Sequence, residues 1–221
     1  HIELLDDLGD IKKNNFDLVI ISTPPRHHLL YVKMCVAQKL PFFCEFNLLT
    51  DQTREIAKIT KQSKVLGIPS NTEIYDSDIC RLKKYISSNF SGYFIFHFGQ
   101  NMYDWHPWQK PGEHFIFSTR TDGIREMLRS ELPWMTKIFG KIKNIKTDKK
   151  RFLKHNFKVP DVGFVKLEFA SGVFGIMIID LISPEAIKRL SVVSALQTVY
   201  WDYGNNILEI NKKGKKKIVV N

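Results

Sequence analysis

Residues 16–25 read Phe-Asp-Leu-Val-Ile-Ile-Ser-Thr-Pro-Pro, residues 28–38 follow as a helical pattern, and residues 41–47 read Pro-Phe-Phe-Cys-Glu-Phe-Asn. The run Leu18–Ile21 is short, apolar and rich in β-branched side chains, which is typical of a parallel strand buried on both faces. Proline cannot donate to a strand ladder, so the Pro-Pro pair ends this strand. A second apolar run, Phe42–Glu45, follows the helical pattern. The stretch therefore predicts a right-handed βαβ unit.

The carboxyl ends of these two strands form a candidate ligand site, because ligands of open α/β sheets lie beyond the carboxyl ends of the strands. The first end carries Ser22, Thr23 and Pro24, and the second carries Glu45. The two hydroxyls can bond a ligand, or they can simply cap a turn that the prolines hold rigid. The carboxylate of Glu45 either faces the cleft or serves locally, by capping the helix near Thr50 or by pairing with a lysine.

The order of these residues resembles the Gfo/Idh/MocA family, the glucose–fructose oxidoreductase and inositol dehydrogenase group of NAD(P)-dependent sugar oxidoreductases. The resemblance rests on Asp-x-Val-Ile-Ile-x-Thr-Pro from Asp17, a histidine at His28, and Cys-Glu-x-x-Leu from Cys44. It implies NAD or NADP as cofactor, held near Ser22, Thr23, Pro24, His28 and Glu45. The family's second strand normally ends Glu-Lys-Pro. This chain has phenylalanine, Phe46, in the place of that lysine, and phenylalanine has neither a donor nor a titratable group.

The glycine-rich turn of the family's nucleotide-binding domain does not occur in this sequence. Such a turn holds a dinucleotide pyrophosphate at a helix N-terminus, and the 12 glycines nowhere form Gly-x-Gly-x-x-Gly. We therefore expect either a piece of a longer protein or a natural protein that lacks half of its nucleotide domain. In both cases these 221 residues should bind NAD(P) weakly or not at all.

A helix is predicted between Asp122, a possible N-cap, and Gly140, which suits the position after a helix end. It resembles the family's catalytic helix, which carries an aspartate and a histidine four residues apart on one face. By this resemblance the two catalytic positions fall on Glu126 and Ser130. Glutamate keeps a carboxylate there, whereas serine lacks a group that titrates near neutral pH.

A loop after the predicted strand Gly92–Gly99 reads Asp-Trp-His-Pro-Trp over residues 104–108. Indole rings can stack on sugars, and the aspartate and the histidine can bond hydroxyls. The loop is thus a candidate substrate site formed by Asp104, Trp105, His106 and Trp108; the alternative is a loop packed over the end of the sheet. It resembles a subgroup of the family associated with bacterial surface sugars and flagellin glycans. If the helix lacks its histidine, His106 is the candidate catalytic base.

The fold class expected from these patterns is α/β, in two domains. Residues 1–70 should form the C-terminal part of a Rossmann-type domain, with helices Ile2–Leu8 and Leu49–Ser63 and a strand Val65–Ile68 ending at Pro69. Residues 71–221 should form an α+β domain with a large, mostly antiparallel sheet for substrate binding and oligomerisation. Its further strands are expected at Gly163–Phe169, Val173–Ile179, Leu190–Leu196, Thr198–Tyr203 and Ile207–Asn211.

The amino-acid composition limits which kinds of binding partner this protein can have. The net charge is +10, and the lysine-rich runs 141–158 and 212–217 are either solvated or meet an anionic ligand such as a sugar nucleotide. They lack the aromatic interleaving that stacks bases, so no nucleic acid is expected. No apolar run reaches the roughly 20 residues of a membrane span. Three scattered cysteines, Cys35, Cys44 and Cys80, predict neither disulfides nor a metal site and indicate a cytoplasmic protein.

The resemblance implies an oxidoreductase that acts on a sugar or sugar nucleotide in surface polysaccharide or glycan biosynthesis. A second hypothesis is a non-catalytic sugar-binding or assembly relative that has lost the usual lysine and histidine. A third is a basic module that binds polyanions. An apolar sheet face with Phe164, Phe174 and Ile176 should be covered in solution, and the family makes its dimer contacts there. We therefore expect a homo-oligomer.

Overall fold

The computed structural model describes residues 16–46, 49–86, 90–105, 107–154 and 158–220. The chain divides into two compact units, residues 1–71 and 72–221. The predicted helix Ile2–Leu8 lies outside the described residues. The α/β class is confirmed, because a small parallel sheet is followed by a large, mostly antiparallel sheet with helices.

The first unit is a parallel sheet with the order β1-β2-β3. Its elements are β1 (Val19–Ile21), a 3₁₀ turn (Pro25–His27), α1 (His28–Ala37), β2 (Phe42–Glu45), α2 (Thr50–Ser63) and β3 (Gly67–Ser70). Val19 pairs with Phe42 and Ile21 with Cys44. The strand–helix–strand arrangement predicted from residues 16–45 is therefore confirmed.

One prediction for β1 is wrong. Ile21 packs with Val32, Cys35 and Ile56 in the core beneath the two helices, but the side chain of Ile20 is 69% exposed. Successive side chains of a strand point to opposite faces. Within the described residues, α1 and α2 supply the packing for only one of those faces, so β1 is buried on one side.

Two boundaries in this unit also differ from the prediction. The helix predicted at Leu49–Ser63 begins at Thr50, and Leu49 occupies its N-cap without a capping bond from the side chain. The third strand is Gly67–Ser70 rather than Val65–Ile68, so Pro69 lies inside it. Proline is tolerated there because, among the described strands, β3 is at the edge of its sheet, where a missing N–H does not break a ladder on the outer side.

The second unit builds an eight-stranded sheet with the order β11-β10-β9-β8-β4-β7-β6-β5. Two helices accompany it, α3 (Ser77–Tyr85) and α4 (Gly123–Phe139). The strands are β4 (Gly92–Gly99), β5 (Ile142–Lys150), β6 (Val162–Phe169), β7 (Phe174–Asp180), β8 (Ile187–Ser194), β9 (Gln197–Asp202), β10 (Ile207–Lys212) and β11 (Lys215–Val220).

The centre of this sheet departs from the antiparallel arrangement. β4 pairs with β7 in parallel, with Phe94 opposite Gly175. A Cβ atom at Gly175 would lie 2.3 Å from the carbonyl oxygen of Phe94 and 2.4 Å from its ring. The absence of a side chain at this position therefore permits the close approach of β4 and β7.

Two strands were missed because they are rich in lysine. β5 and β11 cover parts of the runs that the sequence suggested were solvated. Both lie at edges of the sheet, where main-chain pairing to a single neighbour holds the strand while the side chains stay in water. Lysine on an edge strand also discourages pairing with another chain.

The sheet has one buried and one open face. On the buried face, α3 and α4 pack against aromatic residues of the sheet, among them Phe94, Phe96 and Trp201. The opposite side, which we call the open face, presents Tyr93, Ile95, Phe164, Phe174 and Ile176, each 41–52% exposed.

Candidate functional site

The carboxyl ends of β1 and β2 lie side by side, as the sequence predicted. Because Ile21 pairs with Cys44 in parallel register, the residues that follow them are neighbours. The hydroxyl of Ser22 donates a hydrogen bond of 3.0 Å to Oε1 of Glu45. This bond orients a half-buried carboxylate at the end of the sheet, where an open α/β fold takes its ligand.

The turn at Thr23 and Pro24 is held in place by a hydrogen bond from His28. Its Nε2 donates to the carbonyl oxygen of Thr23 over 2.6 Å, and its side chain is fully buried. Pro24 leads into the 3₁₀ turn with φ −53°. Among the described residues, the buried hydroxyl oxygen of Thr23 has no hydrogen-bond partner. His28 thus positions the turn, and its role toward a cofactor stays a prediction.

Burial gives His28 a pH-dependent effect on stability. Loss of hydration lowers the pKa of its ring below the usual value of about 6.5. Below that pH the unfolded chain binds a proton that the folded chain does not, so stability falls as the pH falls. We expect the free energy of unfolding to drop between about pH 7.5 and about pH 5.5, and to drop less in His28→Gln.

Denaturant titrations at the two pH values measure this difference. The glutamine amide can still donate to Thr23, so the variant removes the proton site while keeping a donor. His27→Gln, at the half-buried neighbouring position, is the control and should keep the wild-type decline. An undiminished decline in His28→Gln would show that another group causes it.

The helix α4 begins and ends as predicted. The Asp122 carboxylate accepts from the backbone N–H of Arg125 over 2.8 Å and from Nζ of Lys149 over 2.8 Å. Gly140, with φ +92°, occupies the C-cap position. These contacts fix both ends of the helix that carries the predicted catalytic positions.

Glu126 and Ser130 are four residues apart on α4, and their side chains make different contacts. Glu126 is half-buried with its Oε2 3.9 Å from the guanidinium of Arg129. Burial lowers the pKa of that guanidinium, and the neighbouring carboxylate opposes the effect. The Ser130 hydroxyl lies 2.8 Å from the carbonyl oxygen of Met127 and 3.1 Å from Glu131. The serine side chain is therefore engaged by its own helix, and the catalytic role of both residues stays a prediction.

The aromatic loop divides into a packed part and an exposed part. Trp105 is half-buried and stacks on the ring of His114 with centroids 6.2 Å apart. Trp108 is 76% exposed, and Asp104 is exposed as well. His106 lies outside the described residues. Trp108 and Asp104 can meet a ligand from solvent, whereas Trp105 supports the loop.

Sequence reasoning missed a cluster of buried charges in the second unit. Glu131 of α4 is 0% exposed and accepts from Nε1 of Trp134 over 2.6 Å and from Nζ of Lys188 over 2.9 Å. Glu73 lies 3.7 Å from the same ammonium. Nothing in the sequence marks a glutamate in a helix and a lysine in a strand as partners 57 residues apart. The ammonium lines a cavity of about 550 Å³.

Two absences hold for the described part of the chain. No group of three or more histidine, cysteine, aspartate or glutamate side chains comes together there as a metal site would require. Across the same residues, no helix is both long enough and apolar enough to cross a bilayer. The core thiols are also inert, since burial raises the pKa of Cys35 to about 11 and that of Cys44 to about 12.

Solved structures with the same fold are oxidoreductases, and two of the following three are described with NAD. A "NAD binding oxidoreductase" of Klebsiella pneumoniae is 18% identical with a TM-score of 0.77, over 94% of this chain and 60% of the other. An inositol dehydrogenase homologue of Azotobacter vinelandii, complexed with NAD+, is 13% identical with a TM-score of 0.80, over 95% and 58%. The UDP-N-acetylglucosamine 3-dehydrogenase of Acidithiobacillus ferrooxidans is 14% identical with a TM-score of 0.71, over 96% and 64%.

These similarities establish the fold. The chain spans about 60% of the length of the structures it matches, and they are oxidoreductases of the Gfo/Idh/MocA type, as the sequence resemblance indicated. No protein-family model and no curated protein matches the sequence.

Proposed function

We propose that this chain belongs to an NAD(P)-dependent oxidoreductase that acts on a sugar or sugar nucleotide. The observation that carries the proposal is the pair of strand ends joined by the Ser22–Glu45 hydrogen bond, in a fold shared with NAD-binding oxidoreductases. Two solved relatives are an inositol dehydrogenase homologue and a UDP-N-acetylglucosamine dehydrogenase, which supports a polyhydroxylated substrate. A cytoplasmic role in surface polysaccharide or glycan biosynthesis is part of this proposal.

The residues present fit one end of the cofactor. At the strand ends, Ser22 and Glu45 can bond ribose hydroxyls, and the buried Thr23 hydroxyl has an unused bonding capacity. A bound nicotinamide would supply hydride acceptance or donation. The pyrophosphate end has no matching residues in these 221, because the sequence has no Gly-x-Gly-x-x-Gly turn. Nothing in the strand ends selects NAD over NADP.

The alternative is a non-catalytic relative that binds sugars or takes part in assembly. Two observations favour it over an active enzyme. Phe46 stands where the family has lysine, and the Ser130 hydroxyl is held by Met127 and Glu131 of its own helix. A protein that lost both groups could keep the fold and the sugar site without turnover.

Turnover and cofactor binding together test the proposal. With NAD+ or NADP+ and either UDP-N-acetylglucosamine or inositol as substrate, we expect the whole protein to form reduced nicotinamide. Glu45→Gln should weaken cofactor binding, because a neutral amide oxygen accepts hydrogen bonds from the ribose hydroxyls less strongly than a carboxylate does. The matched control is Glu55→Gln, in a surface pair with Lys33, which should leave binding unchanged.

The 221 residues alone should bind NADH with a Kd weaker than micromolar in a calorimetric titration, because they lack the pyrophosphate turn. A micromolar Kd for these residues would contradict that expectation. Tight cofactor binding by the whole protein without turnover of any sugar would favour the non-catalytic alternative.

We also propose that the chain forms a homo-oligomer through the open face. Its five large apolar side chains come from three strands of one sheet, and contiguous apolar surface of this kind is usually covered in solution. Phe174→Lys, at a side chain 52% exposed, should convert the oligomer to monomer by placing a charge in the contact.

Light scattering measures the change. Phe152→Lys is the matched control, since Phe152 is 63% exposed outside the sheet, and it should leave the mass unchanged. A monomeric wild-type protein at high concentration would contradict the prediction.

A further inference from the structure

A second cavity of the second unit, larger than the one beside Lys188, is lined by lysine. Its volume is about 940 Å³, within the range of about 300–1,000 Å³ seen for ligand pockets. Five lysines line it: Lys84, Lys212, Lys213, Lys215 and Lys217. Among the residues that the structure describes, no aspartate or glutamate lines it. The cavity therefore combines room for a small molecule with positive charge that its own wall does not balance.

The hairpin of β10 and β11 brings three of these lysines to one face of the sheet. Its turn at residues 213–214 has positive φ at both positions, +49° and +76°, as two-residue hairpin turns require. Lys212 lies directly opposite Lys215, and Ile210 lies opposite Lys217. Directly opposed side chains of a pair point to the same face. The three lysines therefore lie on the face to which the buried Ile210 belongs.

The opposed pair of Lys212 and Lys215 is unfavourable. Directly opposed Cβ atoms are about 4.5–5.5 Å apart, and like charges in this position destabilise a sheet. On the other face of the same hairpin, Lys216 pairs with Glu209 at 2.8 Å. Protection of a sheet edge explains lysine on β11, but it does not explain Lys84, which belongs to the last turn of α3. An anion in the cavity would remove the repulsion between these ammonium groups.

Apolar and aromatic side chains form the base of the cavity. Phe90 and Ile210 both line it and are each 6% exposed. The ring of Tyr85 lies 5.9 Å from the ammonium of Lys217. The carbonyl oxygen of Tyr85 accepts a hydrogen bond of 2.6 Å from Nε2 of Gln197, which joins the end of α3 to β9. An apolar base lowers the local dielectric constant and strengthens the attraction between the lysines and an anion.

The charges of the wall select the class of ligand. Five ammonium groups would repel a metal ion or an organic cation, and a neutral ligand would leave their mutual repulsion in place. A single carboxylate would balance only one of them. A chain of linked phosphates carries several negative charges in a small volume. Lysine binds phosphate as a compact charge on a flexible stem, without the fixed fork by which arginine matches a planar carboxylate.

We propose that this cavity binds a small polyphosphate anion, with its phosphates on the ammonium groups of Lys212, Lys215 and Lys217. The site goes beyond the proposed redox function, because it needs neither a nicotinamide nor a sugar. A failure of NAD(P) binding or of sugar turnover would therefore leave it standing. Free triphosphate and the phosphate chain of a nucleotide such as ATP offer the same chemistry, so the test includes both.

Calorimetric titration of the whole protein with sodium triphosphate and with inorganic phosphate tests the site. We expect triphosphate to bind at least about tenfold more tightly than phosphate, because it reaches more than one lysine. Lys215→Gln and Lys217→Gln should each weaken triphosphate binding roughly tenfold, the effect of losing one charge-assisted hydrogen bond. Lys215→Gln also removes a like-charge pair, so the variant should be at least as stable as the wild type, as denaturant unfolding can verify.

Lys216→Gln is the matched control. It removes the same charge from the same strand, but on the opposite face, where Lys216 pairs with Glu209. Triphosphate binding should therefore keep its wild-type Kd. A phosphate site elsewhere in the whole protein would contribute equally to all three variants, so the difference between the variants is the measurement.

Three outcomes would overturn the proposal. The first is no binding of triphosphate. The second is equal weakening in Lys215→Gln and Lys216→Gln, which would show a diffuse attraction to a basic surface. The third is binding to phosphatidylserine vesicles without binding of triphosphate, which would assign the lysines to a membrane surface.

Titration with ATP distinguishes the two sources of the phosphate chain. An affinity for ATP no higher than that for triphosphate would support a free polyphosphate as the ligand. ATP binding that is at least about tenfold tighter, with the excess lost in Tyr85→Leu, would support a nucleotide whose base lies against the ring of Tyr85.

Discussion

Glu131→Gln is expected to lower the free energy of unfolding by about 3–5 kcal/mol, the loss seen when one partner of a buried ion pair is removed. Glu131 is completely buried, and its two oxygens serve the ammonium of Lys188 and the indole N–H of Trp134. Glutamine has one acceptor oxygen for these two donors, and its own N–H group then faces one of them. Denaturant unfolding monitored by circular dichroism measures the loss.

A surface pair provides the matched control. Glu168 bonds Lys143 at 2.7 Å, and these side chains are 40% and 65% exposed. Glu168→Gln should change stability by less than about 1 kcal/mol because water screens the pair. The double variant Glu131→Gln with Lys188→Met should recover part of the loss, since it removes an ammonium that Glu131→Gln leaves with only the longer contact to Glu73. Equal effects at Glu131 and Glu168 would contradict the buried-pair account.

His106→Ala is expected to lower turnover of the whole protein by about 100- to 10,000-fold, the contribution of a positioned general base. The proposal that the protein is a dehydrogenase requires a group that accepts the substrate hydroxyl proton. Ser130 and Phe46 do not titrate near neutral pH, and the Ser130 hydroxyl is bound within α4. His106, in the aromatic loop, is the residue that we propose for that role.

Ser130→Ala is the comparison and should change turnover little. Initial rates with saturating cofactor measure both variants, and a cofactor titration of His106→Ala should give the wild-type affinity. The reverse ranking, or full activity in His106→Ala, would place the base elsewhere in the protein.

Short sequence patterns were enough to predict those helices and strands that depend on residues close together in the chain. The run Leu18–Ile21, the proline pair after it and the second apolar run were enough to predict β1, α1 and β2. Asp122 and Gly140 were enough to place the ends of α4. The rule that parallel strands end at one edge of a sheet also placed Ser22 and Glu45 at the same edge, but the hydrogen bond between them was not predicted.

Features that depend on distant partners could not be predicted in this way. A half-buried strand usually alternates apolar and polar side chains, but β5 and β11 carry lysines that break this pattern. Each is a strand because its main chain pairs with a neighbouring strand, β6 or β10. The burial of Glu131 is set by Lys188, which lies on another element. Charged side chains are buried only when paired, so the sequence of either element alone suggests exposure.

The position of β4 in the sheet affects how the chain folds while the ribosome is still synthesising it. β4 lies between β7 and β8, which both follow it by a long stretch of sequence. A ribosome adding about 5–20 residues per second takes several seconds to reach those partners. During that interval the aromatic segment Gly92–Gly99 has two unpaired edges and attracts other chains or chaperones. Chaperone binding to the nascent chain should therefore rise after β4 emerges and fall only once β7 and β8 have left the ribosome.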